Sequence, residues 1–584
     1  MIECGHAQNV NGTARSINHG KGDVAMSRNG IERRDFIKTL LGGVSMMALD
    51  WGSFPRGAGA ATAGNQFDAV IIGSGLGGLS CAAAFARQGF RPLVLEQHYV
   101  PGGYATTFER PGGFVFDVSL HSTSVGERDG IHNLIPGFPE IKDVDFVPHP
   151  NLYRAVFPDY DIRVPQKNLR AYMDILTGHF PDEKDGIEGL FGDMQGLAED
   201  IRKYSEAGGE VNMSRFPMDF PCLFQCAFKT WGQMVDGRIQ NPRLKAIVSS
   251  LWGYYGLPPS KLASLYYALP TISYLEQGGF YPRGKSQKIS NAFVKFIEDR
   301  GGKVLLKSRV EKILVKGHTA VGVKTADGKE YSGRVVISNA SAYDTFHTML
   351  DEKAYLTDYL GRMEEFSVSL SCFQVFLGLK KDLVGESGIT DSEIFYATGY
   401  DGEADYAAAL NADIEKSGFG LTLYDNLYKG YSPEGKNTLN VLVLQGFDHW
   451  EKFQADYFKG KKGAYRAEKE KMADILIQKV EKTFLPGLSK AIDIKEIGTP
   501  LTNLRYTGNY RGAIYGWDQT LNNSGKNRLP HNTPVQNLYL SSAWTRPGHG
   551  YSAVLWSGLE CFGEIMQNWE TVTKKNAGAA PSKS

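Results

Sequence analysis

Phe67-Asp68-Ala69-Val70-Ile71-Ile72 runs without a break into Gly73-Ser74-Gly75-Leu76-Gly77-Gly78, and no other stretch of this chain limits its fold so strongly. A β-branched apolar run with little polar alternation suits a strand covered on both faces, the mark of a parallel sheet. The glycines open an alanine-rich helical stretch, Leu79 to Gln88. Gly89-Phe90-Arg91 then turns the chain into a second strand, Pro92-Leu93-Val94-Leu95, which ends at Glu96. Gly73 serves the tight turn, Gly75 lets backbone approach a pyrophosphate, and Gly78 lets helix pack on strand. Ser74 and Gly77 complete the loop and count with the cofactor-binding residues. The helix N-terminus offers free N–H groups and the positive end of a dipole to phosphates. Glu96 lies 18 residues beyond Gly78, placed to accept hydrogen bonds from a ribose diol. Glycine-rich turns arise by chance, but strand, glycines, helix, strand and acid follow in order here. The order predicts a dinucleotide-binding βαβ unit.

Composition narrows the class further. Among 584 residues, Lys plus Arg and Asp plus Glu both number 64, so the formal net charge is zero. A basic nucleic-acid footprint is thereby excluded, and no nucleic-acid partner is expected. The 25 prolines and 67 glycines fall short of a low-complexity chain. Six scattered cysteines without a C-x-x-C predict no disulfide framework, and Cys222 and Cys226 are spaced as on one helix face. No cluster with metal-ligand spacing stands out.

The first residues read as an address. Glu32-Arg33-Arg34-Asp35-Phe36-Ile37-Lys38 precedes an apolar run from Thr39 to Leu49, followed by Ala58-Gly59-Ala60 and Ala61-Thr62-Ala63. Paired arginines, a short apolar region and A-x-A sites describe a secretory signal, too short for a membrane span. The pair looks like a twin-arginine signal, which predicts export to a periplasmic or cell-envelope location. Met26 stands just ahead of it and is an alternative start, with residues 1–25 upstream of it.

A second glycine pair follows the ribose acid: Gly102-Gly103-Tyr104-Ala105-Thr106-Thr107-Phe108, then Gly113 to His121. This resembles the flavoprotein pattern and favours FAD over NAD. Further blocks are Gly278-Gly279-Phe280-Tyr281-Pro282-Arg283-Gly284, Gly301-Gly302-Lys303-Val304 through Val310 to Ser338-Asn339-Ala340, and a C-terminal segment. That last segment holds Leu538-Tyr539-Leu540-Ser541-Ser542-Ala543, Arg546-Pro547-Gly548-His549-Gly550 and Ser557-Gly558-Leu559. In this order the blocks resemble the phytoene desaturase, carotenoid isomerase and retinol saturase group of FAD-dependent oxidoreductases, over about residues 67–570. The resemblance implies that Val310 backbone meets the adenine. It also implies that Ala543, Gly550 and Ser552 face the flavin, where a helix N-terminus stabilises an anionic reduced ring. Three positions depart from the family. Tyr104 stands where an Arg is frequent, Lys285 where a second Gly is common, and His549 interrupts an otherwise all-glycine run.

Between the flavin blocks, aromatic density in 216–224, 251–259 and 265–269 suits a channel for a long apolar substrate, though each single aromatic reads first as core. An apolar patch resting on a membrane surface is a third reading. Alternating runs such as Phe373–Leu377 and Asn440–Leu444 predict a substrate-domain sheet above the flavin. Arg505 and Arg511 read as anion anchors or as structural ion pairs.

The expected fold is α/β: a Rossmann-type FAD-binding domain, discontinuous in sequence, with an inserted α+β substrate domain carrying a mixed or antiparallel sheet. The boundaries are 1–63 for signal and linker, 64–130, 291–345 and 501–572 for the FAD domain, 131–290 and 346–500 for the substrate domain, and 573–584 for a disordered tail. The expected activity is hydride exchange between flavin N5 and carbon–carbon double bonds of an isoprenoid or polyene, by desaturation, saturation or isomerisation. His549, His121 and Tyr551 are the candidates for the proton role. Only one dinucleotide fingerprint is visible, so electrons are expected to pass to a quinone or redox protein, or the reaction to be net-neutral. The alternatives are an amine oxidase-like enzyme and a non-catalytic flavin carrier of a hydrophobic pigment.

Overall fold

The computed structural model describes residues 51–57, 65–124, 138, 140–207, 211–212 and 214–572. The twin-arginine region, both A-x-A sites and the tail from 573 lie outside the described residues.

The predicted βαβ unit is present. Strand Gln66–Ile72 pairs in parallel with Pro92–Leu95 on one side and with Glu330–Ser338 on the other. The sheet has seven strands: Pro92–Leu95 continues to Lys303–Leu305, and Glu330–Ser338 continues to the antiparallel pair Thr319–Thr325 and Val310–Lys316. The end of Glu330–Ser338 also pairs in parallel with Leu538–Leu540. Three distant stretches of sequence thus build one sheet.

Helix Leu76–Arg87 is buried along almost its whole length, with Ala82 to Ala86 enclosed. It crosses the C-terminal helix Tyr551–Gln567 and packs on Lys285–Glu298. Small residues permit this closeness. A Cβ on Gly558 would fall 2.4 Å from the Gly77 carbonyl, and Ser80 donates its hydroxyl to the Leu555 carbonyl at 2.8 Å.

The second sheet, also of seven strands, runs in the order Ile492–Gly498, Ser371–Leu379, Thr438–Gln445, Phe419–Thr422, Glu393–Tyr396, Tyr153–Val156, Asp161–Val164. All its pairings are antiparallel except that of Glu393–Tyr396 with Tyr153–Val156. Strand alternation separates its two faces. Phe373, Val375, Leu377, Leu439, Val441 and Val443 enter a core with helices Asp448–Phe458 and Gly463–Thr483. Cys372, Gln374, Leu442 and Leu444 line a cavity. A separate helical layer, built on Lys184–Glu206, Pro242–Val248 and Ser264–Gln277, closes the far side.

Residues 51–57, within the span read as signal and linker, dock on the FAD domain. The Trp51 carbonyl accepts from Gln88 Nε2 at 2.9 Å, and Gly57 N donates to the Gln88 carbonyl at 2.9 Å. Trp51 and Phe54 both pack on Phe562. The described cysteines are free thiols. Among the described residues no helix is long and apolar enough to cross a membrane.

Candidate active site

One cavity of about 2820 Å³ runs from Glu96 and Val310, past Gly75 and Gly103, to Tyr551, His549, His121 and beyond. Its first part is the glycine cradle. Gly73 holds φ +90°, Gly102 +123° and Gly103 +61°, the left-handed region that only glycine enters freely. Cβ atoms on Gly75, Gly77 and Gly102 would fall 2.6, 2.9 and 2.3 Å from Asn339 Nδ2, Asn339 Oδ1 and Ser290 Oγ. Side chains are therefore excluded from the floor, where backbone meets the cavity.

Asn339 is the residue that sequence reasoning placed in a block without giving it a task. Its Oδ1 accepts the Gly78 N–H at 3.0 Å, and its own N–H bonds the Ile72 carbonyl at 2.8 Å. It ties the loop to the end of strand Glu330–Ser338, so the approach of Gly75 depends on a residue 264 positions away. The acid at the end of the second strand is equally constrained. Glu96 Oε2 accepts from Ser74 N at 2.8 Å and Ser74 Oγ at 2.6 Å, and Oε1 from His98 N at 2.8 Å. A carboxylate carries about four acceptor sites, so capacity is left for a ribose diol. Val310 lies beside it on the same cavity wall, between Arg309 and Glu311.

At the other end, Ala543, Gly550, Tyr551 and Ser552 line the cavity where helix Tyr551–Gln567 begins. The loop ahead of this helix is held from behind by Arg528, which is fully buried. Its Nε donates to the Thr545 carbonyl at 2.8 Å and its Nη2 to the Ala543 carbonyl at 2.5 Å and the Trp517 carbonyl at 3.3 Å. Nothing in the local sequence marks Arg528 for this task. Tyr551 Oη donates to the Tyr104 carbonyl at 3.2 Å and lies 3.3 Å from Ser119 Oγ; burial pushes its phenol up.

His549 packs against Tyr515 with ring centres 4.2 Å apart and planes tilted by 33°. Its Nε2 meets the Tyr254 carbonyl at 3.2 Å, while Nδ1 is buried without a partner. His121 Nδ1 lies 2.6 Å from Thr422 Oγ1, and its ring is parallel to Tyr254. Burial pushes His121 down to about 4; burial, reinforced by Arg528, pushes His549 down to about 3. Both rings line the cavity, and both are neutral at pH 7. The three residues assigned to the proton role thus share one cavity.

The departures from the family pattern also find places. Tyr104 lines the cavity with its hydroxyl buried and unpartnered. Lys285 holds φ +69°, the conformation a glycine would take without strain, and its Nζ donates to the Gly430 carbonyl at 2.9 Å. Arg505 borders the cavity, whereas Arg511 is engaged by Asp448. The aromatic stretches divide: Trp252, Tyr254, Tyr255, Leu265 and Tyr266 reach the cavity. Phe216, Phe220, Leu223 and Tyr267 are core. The glycine-floored cradle, the ribose acid and the helix N-terminus at the far end fit a flavin dinucleotide.

Such a site on such a sheet defines a flavin-dependent oxidoreductase. The sequence matches the family described as flavin containing amine oxidoreductase over residues 76–555, and the chain belongs to that family, whose cofactor the cradle fits as FAD. It is 27% identical over 508 residues to the chloroplastic prolycopene isomerase of Daucus carota, covering 85% of this chain and 79% of the relative. It is also 27% identical over 511 residues to the all-trans-retinol 13,14-reductase of Rattus norvegicus, covering 82% of each. Among solved structures, an oxidoreductase from Methanosarcina mazei aligns with TM-score 0.58 at 15% identity, over 85% of this chain and all of that one. Cyclohexylamine oxidase from Brevibacterium oxydans aligns with TM-score 0.55 at 15% identity, over 86% and 99%. At such identities these two establish the fold.

Proposed function

We propose that this protein acts on carbon–carbon double bonds of a long apolar isoprenoid or polyene. The observation that carries this reading is the cavity. Small-molecule pockets hold roughly 300–1,000 Å³; about 2820 Å³ leaves room for a dinucleotide and a second extended molecule. Beyond Tyr254 the walls include Tyr255, Leu265, Leu269, Pro270, Ala198 and Ile201, which suit a hydrocarbon, while Arg202, Glu206, Asp236 and Lys245 also border the cavity. The isomerase and reductase names of the relatives point to the same bond type.

Bound FAD would supply hydride exchange at its N5. Glu96 and Ser74 would hold the ribose, the 73–78 and 102–103 backbone the pyrophosphate, and the Tyr551 helix N-terminus the ring. The roof of Gln374, Leu442 and Leu444 would press the substrate toward the ring and exclude water. As part of this proposal, a twin-arginine signal exports the folded holoprotein to the cell envelope. There a quinone or redox protein, rather than NADPH, balances the electrons unless the reaction is redox-neutral, and peripheral membrane contact delivers the substrate.

The test uses full-length protein loaded with FAD, oxidised or reduced anaerobically, and incubated with carotenoid and retinoid probes. Chromatography should find a product with one double bond added, removed or re-oriented. Turnover of primary amines with none of the polyenes would replace this reading by the amine oxidase one.

A further inference from the structure

The cavity holds a buried acid that the cradle does not use. Glu393 begins strand Glu393–Tyr396, is 3% exposed, and its Oε2 has no hydrogen-bond partner. Alternation sends Ile394 into the core and leaves Glu393 and Phe395 on the cavity wall. The strand register sets Thr422 directly opposite Glu393. Thr422 Oγ1 holds His121 Nδ1 at 2.6 Å, and that nitrogen lies 3.9 Å from Glu393 Oε2. The Thr422 and Tyr254 hydroxyls offer the carboxyl side-chain hydrogen bonds that partly offset its burial, and Tyr274 and Tyr424 are the other titratable groups facing it. His149, bonded to Ser392 Oγ at 2.7 Å, lies behind His121. Among the described residues no Lys or Arg pairs with Glu393. A distance of 3.9 Å would permit an ion pair with His121, but the dry site disfavours both charges. Burial raises Glu393 well above the carboxylate range and lowers His121. A hydrocarbon substrate gives an enclosed carboxyl nothing to bind, so its presence calls for a chemical role.

We propose that Glu393 is the proton donor of the cavity and that the Thr422–His121 pair positions it. This rests on the double-bond reading above. In a reduction, the Glu393 O–H bond breaks as a C–H bond forms on one alkene carbon. Bound reduced flavin would supply the hydride, and with it the two electrons, to the neighbouring carbon, so that the π bond is lost. Water then returns a proton to the carboxylate. In an isomerisation the same proton adds, the weakened bond rotates, and the proton leaves to Glu393 with no net electron transfer. His121 acts through Glu393 and is a positioning residue.

The experiment compares full-length, FAD-loaded wild type with Glu393→Gln, Glu393→Asp and His121→Gln. The first readout needs no turnover. The infrared difference between wild type and Glu393→Gln should contain a protonated-carboxyl stretch that shifts in D₂O and persists at neutral pH. His121→Gln should move that band, and its absence in wild type overturns the assignment. In the second, dithionite-reduced protein is mixed with polyene probes and flavin reoxidation is followed. Glu393→Gln should slow reoxidation about 10²–10⁴-fold, the range of general acid catalysis, with FAD affinity unchanged and partial rescue by Glu393→Asp. Wild-type turnover with Glu393→Gln within threefold of it overturns the proton assignment alone. Wild type inert toward every polyene overturns the functional reading and this proposal with it.

Discussion

Replacing Gly78 by alanine tests how the cradle is built. A Cβ at this position would sit 2.4 Å from the Gly73 carbonyl oxygen and 3.0 Å from Asn339 Cβ, where ordinary contact begins near 3.4 Å. The overlap of about 1 Å has no easy outlet. Gly73 is main chain in the turn itself, and Asn339 is anchored through both its side chain and its backbone N–H. Overpacking of this kind costs about 1–3 kcal/mol. The loop can relax only by moving Gly73 and Gly75, the backbone on which the pyrophosphate would lie. The cost is therefore expected in cofactor affinity, a loss of about 5- to 150-fold in FAD Kd at 1.4 kcal/mol per tenfold. Gly192→Ala is the control: it lies mid-helix with nothing within 4 Å of the added carbon. It should raise stability by about 0.5–1 kcal/mol and leave Kd unchanged. Fluorescence titration of FAD into apoprotein, with parallel thermal melts, measures both. Gly78→Ala binding FAD within twofold of wild type, at an unchanged Tm, would refute the reasoning.

Arg528→Met removes the donor of three carbonyl bonds behind the flavin-facing loop; a loss of about 2–4 kcal/mol is expected from the unsatisfied carbonyls, read from urea unfolding. Trp51→Ala removes the ring that packs on Phe562 beneath the Arg87 guanidinium. It should lower the Tm of the holoprotein with a cost of about 3 kcal/mol, the low end for a half-buried Trp, whereas an unchanged Tm would show the 51–57 segment to be dispensable. Stability should also depend on pH from both sides. His121 and His549 lie below the roughly 6.5 of an unfolded histidine. Their contribution is complete above that pH and lost as pH falls toward 4 and then 3. Glu393 is shifted upward, so its contribution is complete below about 4.3 and lost as pH rises. His549→Asn should flatten the acid limb of Tm against pH, and Glu393→Gln the neutral limb.

The short-range features of the chain were legible because they are written in consecutive residues. Phe67 to Glu96 carries strand, turn, helix, strand and acid within one βαβ unit, and each glycine has a steric reason that sequence spacing reveals. The alternation in Phe373–Leu377 and Asn440–Leu444 likewise announces one sheet, and the two runs do pair, Phe373 opposite Val443. The aromatic stretches were legible only in part. Phe216 and Tyr254 belong to equally aromatic sequence, but one fills a helical core and the other faces the cavity.

What the sequence determined by itself is therefore the cofactor class and the two-part α/β plan, since both follow from local backbone geometry and hydrophobic period. Only the tertiary structure decided which side chains meet. Asn339 reaches the glycine loop because its strand pairs with Gln66–Ile72. Arg528 grips the flavin-facing loop from a turn with no signature of its own. Glu393 comes beside His121 because strand register sets it opposite Thr422. Its burial, which raises the carboxyl above the usual carboxylate range, belongs to the folded cavity and to no residue or spacing in the chain.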